Sequence, residues 1–365
     1  MSFVLPRFSP PNFAEARFRE LPTVKLEPAP ADGVAPTDFH ATSNHPEYVH
    51  VAPGEWVLAR ESRMDCVLVV RGSSVEVIEA RRLQQGDPVV VGRRENGEDG
   101  VLVHASGFAA ADGQNGDKFA FRTRGTRETP FSRSYDRLYE LLRYERDHGC
   151  IVWVLGPAVA FDRDSRNSMV DLIDHGYCQA LLAGNALATH DLEAACFGTG
   201  LGQDIYSQQL RPMGHYHHLD VLNSVRRAGS VERAIGALGI SDGIVLACQR
   251  RGVPLVLCGS IRDDGPLPEV IADVYRAQDA MRVHARRATT VVTLATQLHT
   301  IAVGNMTPSY HVLGDGTVRP VYFYVVDMSE FSADKLANRG SAQAVAILTN
   351  AQDFMINLRN NLVDS

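Results

Sequence analysis

The chain has 365 residues, of which 45% are hydrophobic and 22% charged, and its formal net charge is −7. This length allows one large or two ordinary domains, and the composition is typical of a globular enzyme and excludes a largely disordered chain. Because the charge balance is acidic, we expect neither nucleic acid nor a membrane surface as a partner. The segment Met1 to Asn12 lacks the features of a signal peptide, and no later run approaches the roughly 18 apolar residues of a membrane span, so we expect a cytoplasmic protein that acts on a small molecule.

The cysteines are spread along the chain and form no C-x-x-C pair. Their spacing spells neither a zinc knuckle nor a dithiol redox motif, so we predict reduced and mostly buried thiols.

The front of the chain contains short β-branched runs separated by turn residues. The predicted strands are Glu47 to Val51, Glu55 to Leu58, Asp65 to Val70, Ser74 to Ile78 and Pro88 to Gly92. Such spacing indicates a β-rich module, and the Gly- and Asp-rich segment Ala111 to Asp117 suggests where it ends. We therefore predict a smaller β-rich N-terminal domain over residues 1–125 and an α/β catalytic domain over residues 126–365.

From Ser132 onward, helical patterns and apolar runs alternate. The predicted strands are Cys150 to Leu155, Cys178 to Leu182, Gly243 to Ala247, Val253 to Leu257, Thr289 to Leu294 and Val321 to Val326. The predicted helices begin with a pattern over residues 138–144 and continue near 166–175, 186–196, 216–227, 230–237, 267–285 and 332–338. This alternation predicts a parallel α/β sheet with helices on both faces.

Polar residues follow four of the predicted strands, where ligands bind in open parallel sheets. They are Gly184-Asn185-Ala186, then Gly259-Ser260 with Asp263 and Asp264, then Thr296, and finally Asp327. A carboxylate such as Asp264 or Asp327 could accept both ribose hydroxyls and repel a 2′-phosphate, which favours NAD over NADP. Each polar residue could equally be a helix cap worth about 1 kcal/mol, and their coincidence at four strand ends is what favours a site.

Two other motifs invite functional interpretations. Gly198-Thr199-Gly200-Leu201-Gly202 lacks the G-x-G-x-x-G spacing, so it is either a helix end followed by a turn or a loop that approaches a cofactor. In the cluster His215, His217 and His218, only the first and last have helical i,i+3 spacing, and no matching second cluster is evident. We therefore expect no metal and assign His218 to acid/base chemistry or substrate hydrogen bonding.

Three basic residues in the second half are candidates for the reacting end of the site. Lys335 is a catalytic amine if burial lowers its pKa, and otherwise a solvated helix lysine. Arg262 and Arg339 could bind a carboxylate or phosphate through two parallel hydrogen bonds.

Several segments together resemble one family. They are Gly184 to Asp191, Gly198 to Gly202, Gly259 to Pro268, Ile301 to Met306 and Asn338 to Gln343, with Phe39 to Trp56 and Arg63 to Cys66 in the front half. The chain resembles the archaeal-type ornithine cyclodeaminase family, which also forms the C-terminal part of cyanobacterial bifunctional arginine dihydrolase/ornithine cyclodeaminase and carries the older label LOR/SDH. The resemblance implies a deoxyhypusine-synthase-like, Rossmann-type NAD-binding domain behind the smaller β-rich domain.

The resemblance also implies an activity, the conversion of L-ornithine to L-proline and ammonia with NAD recycled by internal hydride transfer. Carried onto this sequence, the cofactor contacts would fall on Asn185, Ala186, Gly259, Ser260, Asp264, Thr296, the Asn305-Met306 loop and Asp327. The reacting end would comprise His218, Asp263 and Lys335, with Arg262 or Arg339 on the substrate carboxylate. An enzyme of this kind commonly forms a symmetric homodimer or homotetramer.

The sequence departs from the family pattern at three places. Phe161-Asp162-Arg163-Asp164 stands where a histidine and small residues are usual, Gly200 replaces a serine and Asn338 an aspartate. These departures leave open a related diamino acid as the substrate. Two other functions compete with the one implied by the resemblance: an NAD-dependent amino-acid or opine dehydrogenase with net NADH turnover, and a non-catalytic NAD-binding regulatory protein.

Overall fold

The structure of the chain is a computed structural model that describes residues 3–108, 132–263, 265–329 and 343–364. In the front part of the chain, a short helix, α1 (Ala16–Arg19), precedes two antiparallel sheets. Their strands are β1 (Lys25–Pro28), β2 (Glu47–Ala52), β3 (Glu55–Leu58), β4 (Val67–Arg71), β5 (Ser74–Ile78), β6 (Pro88–Val91) and β7 (Val101–Val103). The sheet orders are β1-β6-β4-β5 and β3-β2-β7. The five strands predicted here are confirmed, and β1 and β7 are additional.

The second part is built on a six-stranded sheet in which every neighbouring pair is parallel. Its strands are β8 (Ile151–Leu155), β9 (Ala180–Gly184), β12 (Leu255–Cys258), β13 (Thr290–Leu294), β16 (Tyr322–Asp327) and β17 (Gln343–Leu348). The spatial order β12-β9-β8-β13-β16-β17 is the 3-2-1-4-5-6 order of dinucleotide-binding folds. Two small hairpins complete the strands, β10 (Thr199–Gly200) with β11 (Gln203–Asp204), and β14 (Tyr310–Val312) with β15 (Val318–Pro320).

Helices cover both faces of this sheet, which confirms the predicted α/β architecture. They are α2 (Ser132–His148), α3 (Arg163–Asp174), α4 (Asn185–Phe197), α5 (His217–Ala228), α6 (Val231–Leu238), α7 (Ile244–Arg251), α8 (Val274–Ala285), α9 (Gln297–Met306) and α10 (Ala351–Leu362). On one face, Leu172 of α3 and Phe354 of α10 belong with Trp153 of β8 to a large apolar core. On the other, Met281 of α8 and Val303 of α9 belong to a second core. Burial on both faces explains the continuous apolar runs of the strands.

Three element predictions are wrong. Gly243 to Ala247 starts helix α7, because an apolar run of five residues does not by itself distinguish a strand from a buried helix turn. The helix predicted from residue 267 begins only at Val274, after the N-cap Asp273. Asn305 and Met306 end helix α9 and do not form a loop. The helix predicted at 332–338 lies outside the described residues.

The predicted domain boundary near residue 125 also lies outside the described residues, so the division stays a prediction. The front sheets contact the second part through several side chains. The Arg282 guanidinium donates from Nε to Glu79 Oε1 at 3.0 Å, and the Tyr310 hydroxyl donates to the carbonyl of Ala59. All six cysteines are free, and four of them are buried. Among the described residues, no helix is both long enough and apolar enough to cross a membrane.

Candidate active site

The strand order of the parallel sheet reverses between β8 and β13, and a crevice opens at such a point beyond the carboxyl ends of the strands. The loop after β8 leads to α3 on one face, and the loop after β13 leads to α9 on the other. Between them, Gly156 donates its N–H to the carbonyl of Leu294 at 2.9 Å. A Cβ on Gly156 would lie 2.0 Å from the carbonyl oxygen of Ala295, so only glycine allows this approach.

The helices around the crevice differ in how their first N–H groups are satisfied. Helix α3 is capped by its own Asp162, whose carboxylate accepts from the Ser165 N–H at 2.8 Å. Helices α4 and α9 begin after Gly184 and Thr296, and neither residue makes a side-chain cap hydrogen bond. Free N–H groups attract phosphate, whereas a capping carboxylate repels it. The amino ends of α4 and α9, which follow the two strands flanking β8, are thus without a side-chain cap, and phosphate binding there stays a prediction.

The predicted residues at the strand ends are held in different ways. Asn185 is the first residue of α4, is 5% exposed, and accepts from the Leu267 N–H through Oδ1 at 3.0 Å. Asp327 ends β16 and accepts from the Ser329 N–H at 2.8 Å. Ala186 follows in the first turn of α4, half-buried. Asn185 therefore does not cap α4. The residues that follow Ser329 lie outside the described part of the chain, so both interpretations of Asp327 stay predictions.

The Gly259 loop follows β12, and its side chains form hydrogen bonds with its own backbone. Asp263 Oδ2 accepts from the Ser260 N–H at 2.8 Å, and Ser260 Oγ accepts from the Arg262 N–H at 3.2 Å. The side chains of Ser260 and Arg262 are exposed, while Gly259 donates to the carbonyl of Ile271. Asp264, Lys335 and Arg339 lie outside the described residues.

One predicted pair lies away from the crevice. Asn305 and Met306 end the ten-residue helix α9, so the rise of an α-helix puts them about 15 Å from Thr296, toward the other edge of the sheet. They line a cavity of about 300 Å³ together with Met64 and Arg282. The Oδ1 atom of Asn305 is buried and has no hydrogen-bond partner among the described residues. The structure thus does not bring this pair together with the strand-end residues.

Sequence reasoning missed His299, which lies in the crevice. Its Nδ1 is 3.4 Å from Thr296 Oγ1, and a Cβ on Gly184 would lie 3.2 Å from its Cε1. Burial lowers the pKa of His299, so the imidazole is neutral at pH 7 and can both donate and accept a hydrogen bond. The sequence reasoning had not predicted helix α9. A histidine in the first turn of a helix that follows a strand lies at the same edge of the sheet as the other strand-end residues.

A second polar group surrounds Glu193, which is 0% exposed. Its carboxylate accepts from His190 Nδ1 at 2.8 Å and Thr199 Oγ1 at 2.9 Å, and from the N–H groups of Leu201 and Gly202 at 3.1 and 3.0 Å. Burial acts to raise the pKa of Glu193, but the hydrogen bonds from His190, Gly202 and Thr199 outweigh it and lower the pKa. Glu193 is therefore ionised at neutral pH.

His218 lies beside this Glu193 network. Its Nδ1 is buried without a hydrogen-bond partner among the described residues, and its ring centroid is 6.1 Å from that of His190. The ring of His217 stacks on Phe197, and its Nδ1 lies 2.8 Å from Thr199 Oγ1. Across the described part of the chain, His, Cys, Asp and Glu side chains form no group of three or more that could hold a metal ion.

The glycine turn after α4 begins with Gly198 at φ 66°, which confirms that the motif is a helix end; an approach to a cofactor stays a prediction. Two departures from the family pattern meet in this turn. A Cβ on Gly200 would lie 2.9 Å from Cδ1 of Phe161. The Phe161 ring also packs on His190, with centroids 4.8 Å apart. The ring therefore occupies the space that a side chain at position 200 would fill.

The reversed strand order and the crevice define a Rossmann-type dinucleotide-binding α/β protein. Residues 138–358 match the family described as arginine dihydrolase ArgZ-like, C-terminal, Rossmann fold, and the chain belongs to this family. The resemblance to ornithine cyclodeaminases is thereby confirmed.

Named relatives agree with this assignment. The ornithine cyclodeaminase of Methanopyrus kandleri is 39% identical over 341 residues, which cover 93% of this chain and 78% of the relative. The bifunctional arginine dihydrolase/ornithine cyclodeaminase ArgZ of Synechocystis is 34% identical over 92% of this chain and 46% of its own length.

Solved structures are similar over nearly the whole chain. A conserved putative LOR/SDH protein from Methanococcus maripaludis superposes with a TM-score of 0.83 at 33% identity, over 94% of this chain and 98% of the other. The ternary complex of AgrE with ornithine and NAD+ gives a TM-score of 0.58 at 31% identity, over 94% of this chain and 46% of AgrE.

Proposed function

We propose that this chain is an NAD-dependent ornithine cyclodeaminase, which converts L-ornithine to L-proline and ammonia and leaves no net NADH. The observation that carries the proposal is a dinucleotide-type crevice in a chain whose relatives are named ornithine cyclodeaminases. The AgrE relative, crystallised with ornithine and NAD+, supports the same pair of ligands.

The residues of the crevice fit NAD. The uncapped amino ends of α4 and α9 suit its pyrophosphate, and a half-buried carboxylate at Asp327 suits a ribose without a 2′-phosphate. Asn185, Ala186, Gly259, Ser260 and Asp264 are the other proposed contacts after β9 and β12. When bound, NAD supplies the acceptor and later the donor of a hydride. The close approach at Gly156 keeps side chains out of the space between the two loops.

The chain's own residues would orient the diamino acid and move its protons. We assign His218 and Asp263 to the amines, with Lys335 as a further candidate, and Arg262 or Arg339 to the carboxylate. The buried, unpartnered Nδ1 of His218 supports a polar ligand beside it. Holding both ends of a flexible diamino acid would favour its closure into a five-membered ring.

The test is incubation of the purified protein with L-[2-²H]ornithine and NAD+, followed by mass spectrometry of proline and by assays of ammonia and NADH. The proposal expects proline and ammonia in equal amounts, deuterium retained at the α-carbon of proline, and no accumulation of NADH. Accumulating NADH would favour the amino-acid or opine dehydrogenase. Bound NAD without any product would favour a regulatory protein. Lysine and 2,4-diaminobutyrate as competing substrates would establish which chain length is preferred.

We also propose a homodimer or homotetramer. The segment between α4 and α5 exposes large apolar side chains, among them Leu201, Leu210 and Met213 at 57%, 79% and 62%. Contiguous exposed apolar residues favour an interface, and light scattering of the purified protein measures its mass. A monomer at micromolar concentration would contradict this.

A further inference from the structure

We infer that His190 is a further catalytic residue, whose Nε2 takes protons from the distal nitrogen of the substrate and gives them to the departing nitrogen, and that Glu193 is its positioning residue. The inference rests on the proposed ornithine cyclodeaminase function and adds a proton-transfer group beside His218.

The contact with Glu193 fixes the tautomer of His190. Both residues lie on α4, three positions apart, with His190 Nδ1 2.8 Å from Glu193 Oε2. An ionised carboxylate only accepts hydrogen bonds, so Nδ1 of His190 must carry the hydrogen. In the neutral ring, Nε2 is then left with a lone pair, and no side chain or backbone group of the described residues hydrogen-bonds to it. A carboxylate-held imidazole with a free Nε2 is the arrangement of a general base.

The surroundings of His190 indicate a ligand. Phe161, from the loop after β8, packs on its ring, and His218, from the start of α5, lies on another side. The buried Nδ1 of His218 lacks a partner among the described residues, and an unpaired buried nitrogen is costly. A substrate amine beside both rings would satisfy it. The titratable groups near His190 are thus Glu193 on its own helix, His218 on α5 and, through Thr199, His217.

The turn after α4 does not depend on the imidazole of His190. Glu193 already fixes the turn after α4 through Thr199 and the N–H groups of Leu201 and Gly202. These three hydrogen bonds require the carboxylate and not the imidazole. A glutamine at position 190 could still donate to Glu193, so this replacement keeps the turn and removes the base.

Two protons must move between the nitrogens of the substrate, which gives such a shuttle its task. After hydride removal by the nicotinamide of the proposed function, the α-carbon carries =NH₂⁺, while the distal nitrogen is –NH₃⁺. Ring closure forms a bond from the distal nitrogen to the α-carbon and breaks the original bond, whose electron pair leaves with the ammonia. The distal nitrogen ends as =NH⁺– and loses two protons, and the departing nitrogen leaves as NH₄⁺ and gains two. His190 Nε2 carries them one at a time and returns to its neutral form.

The test compares the wild type with His190→Gln, Glu193→Gln and, as a matched control, His215→Gln, since His215 is an exposed histidine of the neighbouring segment. His190→Gln should lower kcat for ornithine at least about 100-fold, with KM, melting temperature and retained NAD nearly unchanged. Glu193→Gln should lower kcat with KM nearly unchanged and should release the hydrogen from Nδ1 of His190, because a glutamine amide can donate to the ring as well as accept from it, whereas the carboxylate only accepts. His215→Gln should behave as the wild type.

Nitrogen-15 NMR of the histidine rings without substrate provides a readout independent of turnover, in which His190 should be protonated at Nδ1. The inference is overturned if His190→Gln turns ornithine over within threefold of the wild type, or if the His190 signal reports hydrogen on Nε2 instead. If the wild type itself yields no proline, the proposed function and this inference fall together. If only the variants behave unexpectedly, the inference alone falls.

Discussion

The contact between Phe161 and Gly200 makes a quantitative prediction about two positions at once. Gly200 does not have a positive φ, so a serine could adopt its backbone, and the obstacle is steric. The ideal Cβ of such a serine would lie 2.9 Å from Phe161 Cδ1 and 3.7 Å from Ile205 Cγ2. Only the first distance is well below the usual carbon–carbon contact of about 3.5 to 4.0 Å.

The expected cost follows from this overlap. Overpacking a filled interior costs about 1 to 3 kcal/mol, so Gly200→Ser should destabilise the protein by that amount. At roughly 2 to 4 °C per kcal/mol for a domain of this size, the melting temperature should fall by about 2 to 12 °C. In a Phe161→Ala background the obstructing ring is gone, and serine should cost little. The two changes should then couple by about 1 to 3 kcal/mol.

The assay is thermal and urea unfolding of the wild type, the two single variants and the double variant. Gly314→Ser serves as the control, since a Cβ there meets nothing within 4 Å, and it should change stability by less than about 0.5 kcal/mol. Equal destabilisation by Gly200→Ser in both backgrounds would refute the reasoning, because the Phe161 ring would then not be the obstacle.

Three further outcomes can be measured. Asp327→Ala should lower the amount of NAD retained after purification without changing the melting temperature, and unchanged occupancy would argue against its assignment to the ribose. Asp191→Ala should destabilise the protein by about 3 to 5 kcal/mol in urea unfolding. The 1%-exposed carboxylate accepts from Arg166 Nε at 2.6 Å, and its removal would leave a buried guanidinium without this partner. A loss below about 1 kcal/mol would contradict this. The folded pKa of Glu193 is depressed, so its contribution to stability is complete above the ordinary value of 4.5 and is lost as the pH falls through the folded value. The stability difference between wild type and Glu193→Gln should therefore narrow below pH 4.5 in equilibrium unfolding, and a constant difference would count against the depressed pKa.

The architecture could be predicted from sequence because its strands are continuous apolar runs with turn residues at their ends. Runs such as Thr289 to Leu294 could be read directly, since both faces of each strand are buried. The run Gly243 to Ala247 was wrongly predicted as a strand because the residue that stabilises the helix there is distant in sequence. Asp191 accepts from the N–H groups of Ile244 and Val245 and so caps α7 across about 50 residues.

The candidate site was predictable mainly at the edge of the sheet, with His218 as the exception. Asn185, Thr296 and Asp327 follow strands, so the rule for parallel sheets selects them. His190 and Glu193 lie within a helix, and their significance depends on contacts with the turn at Thr199 and the ring of Phe161. Contacts of this kind cannot be predicted from local sequence patterns. Asn305 was selected through the resemblance alone. The motif did not predict that this residue lies at the far end of α9.

The capped amino end of α3 has a consequence for how such an enzyme can diversify. Because the Asp162 carboxylate caps α3 at the Ser165 N–H, the loop after β8 has no need to keep the glycine-rich sequence that phosphate binding would impose. Insertions or bulky residues in that loop, such as Phe161, leave the amino ends of α4 and α9 untouched. New substrates can therefore be acquired by altering one connection while the redox carrier stays in its place, and libraries seeking altered amino-acid preference should randomise residues 157–164 first.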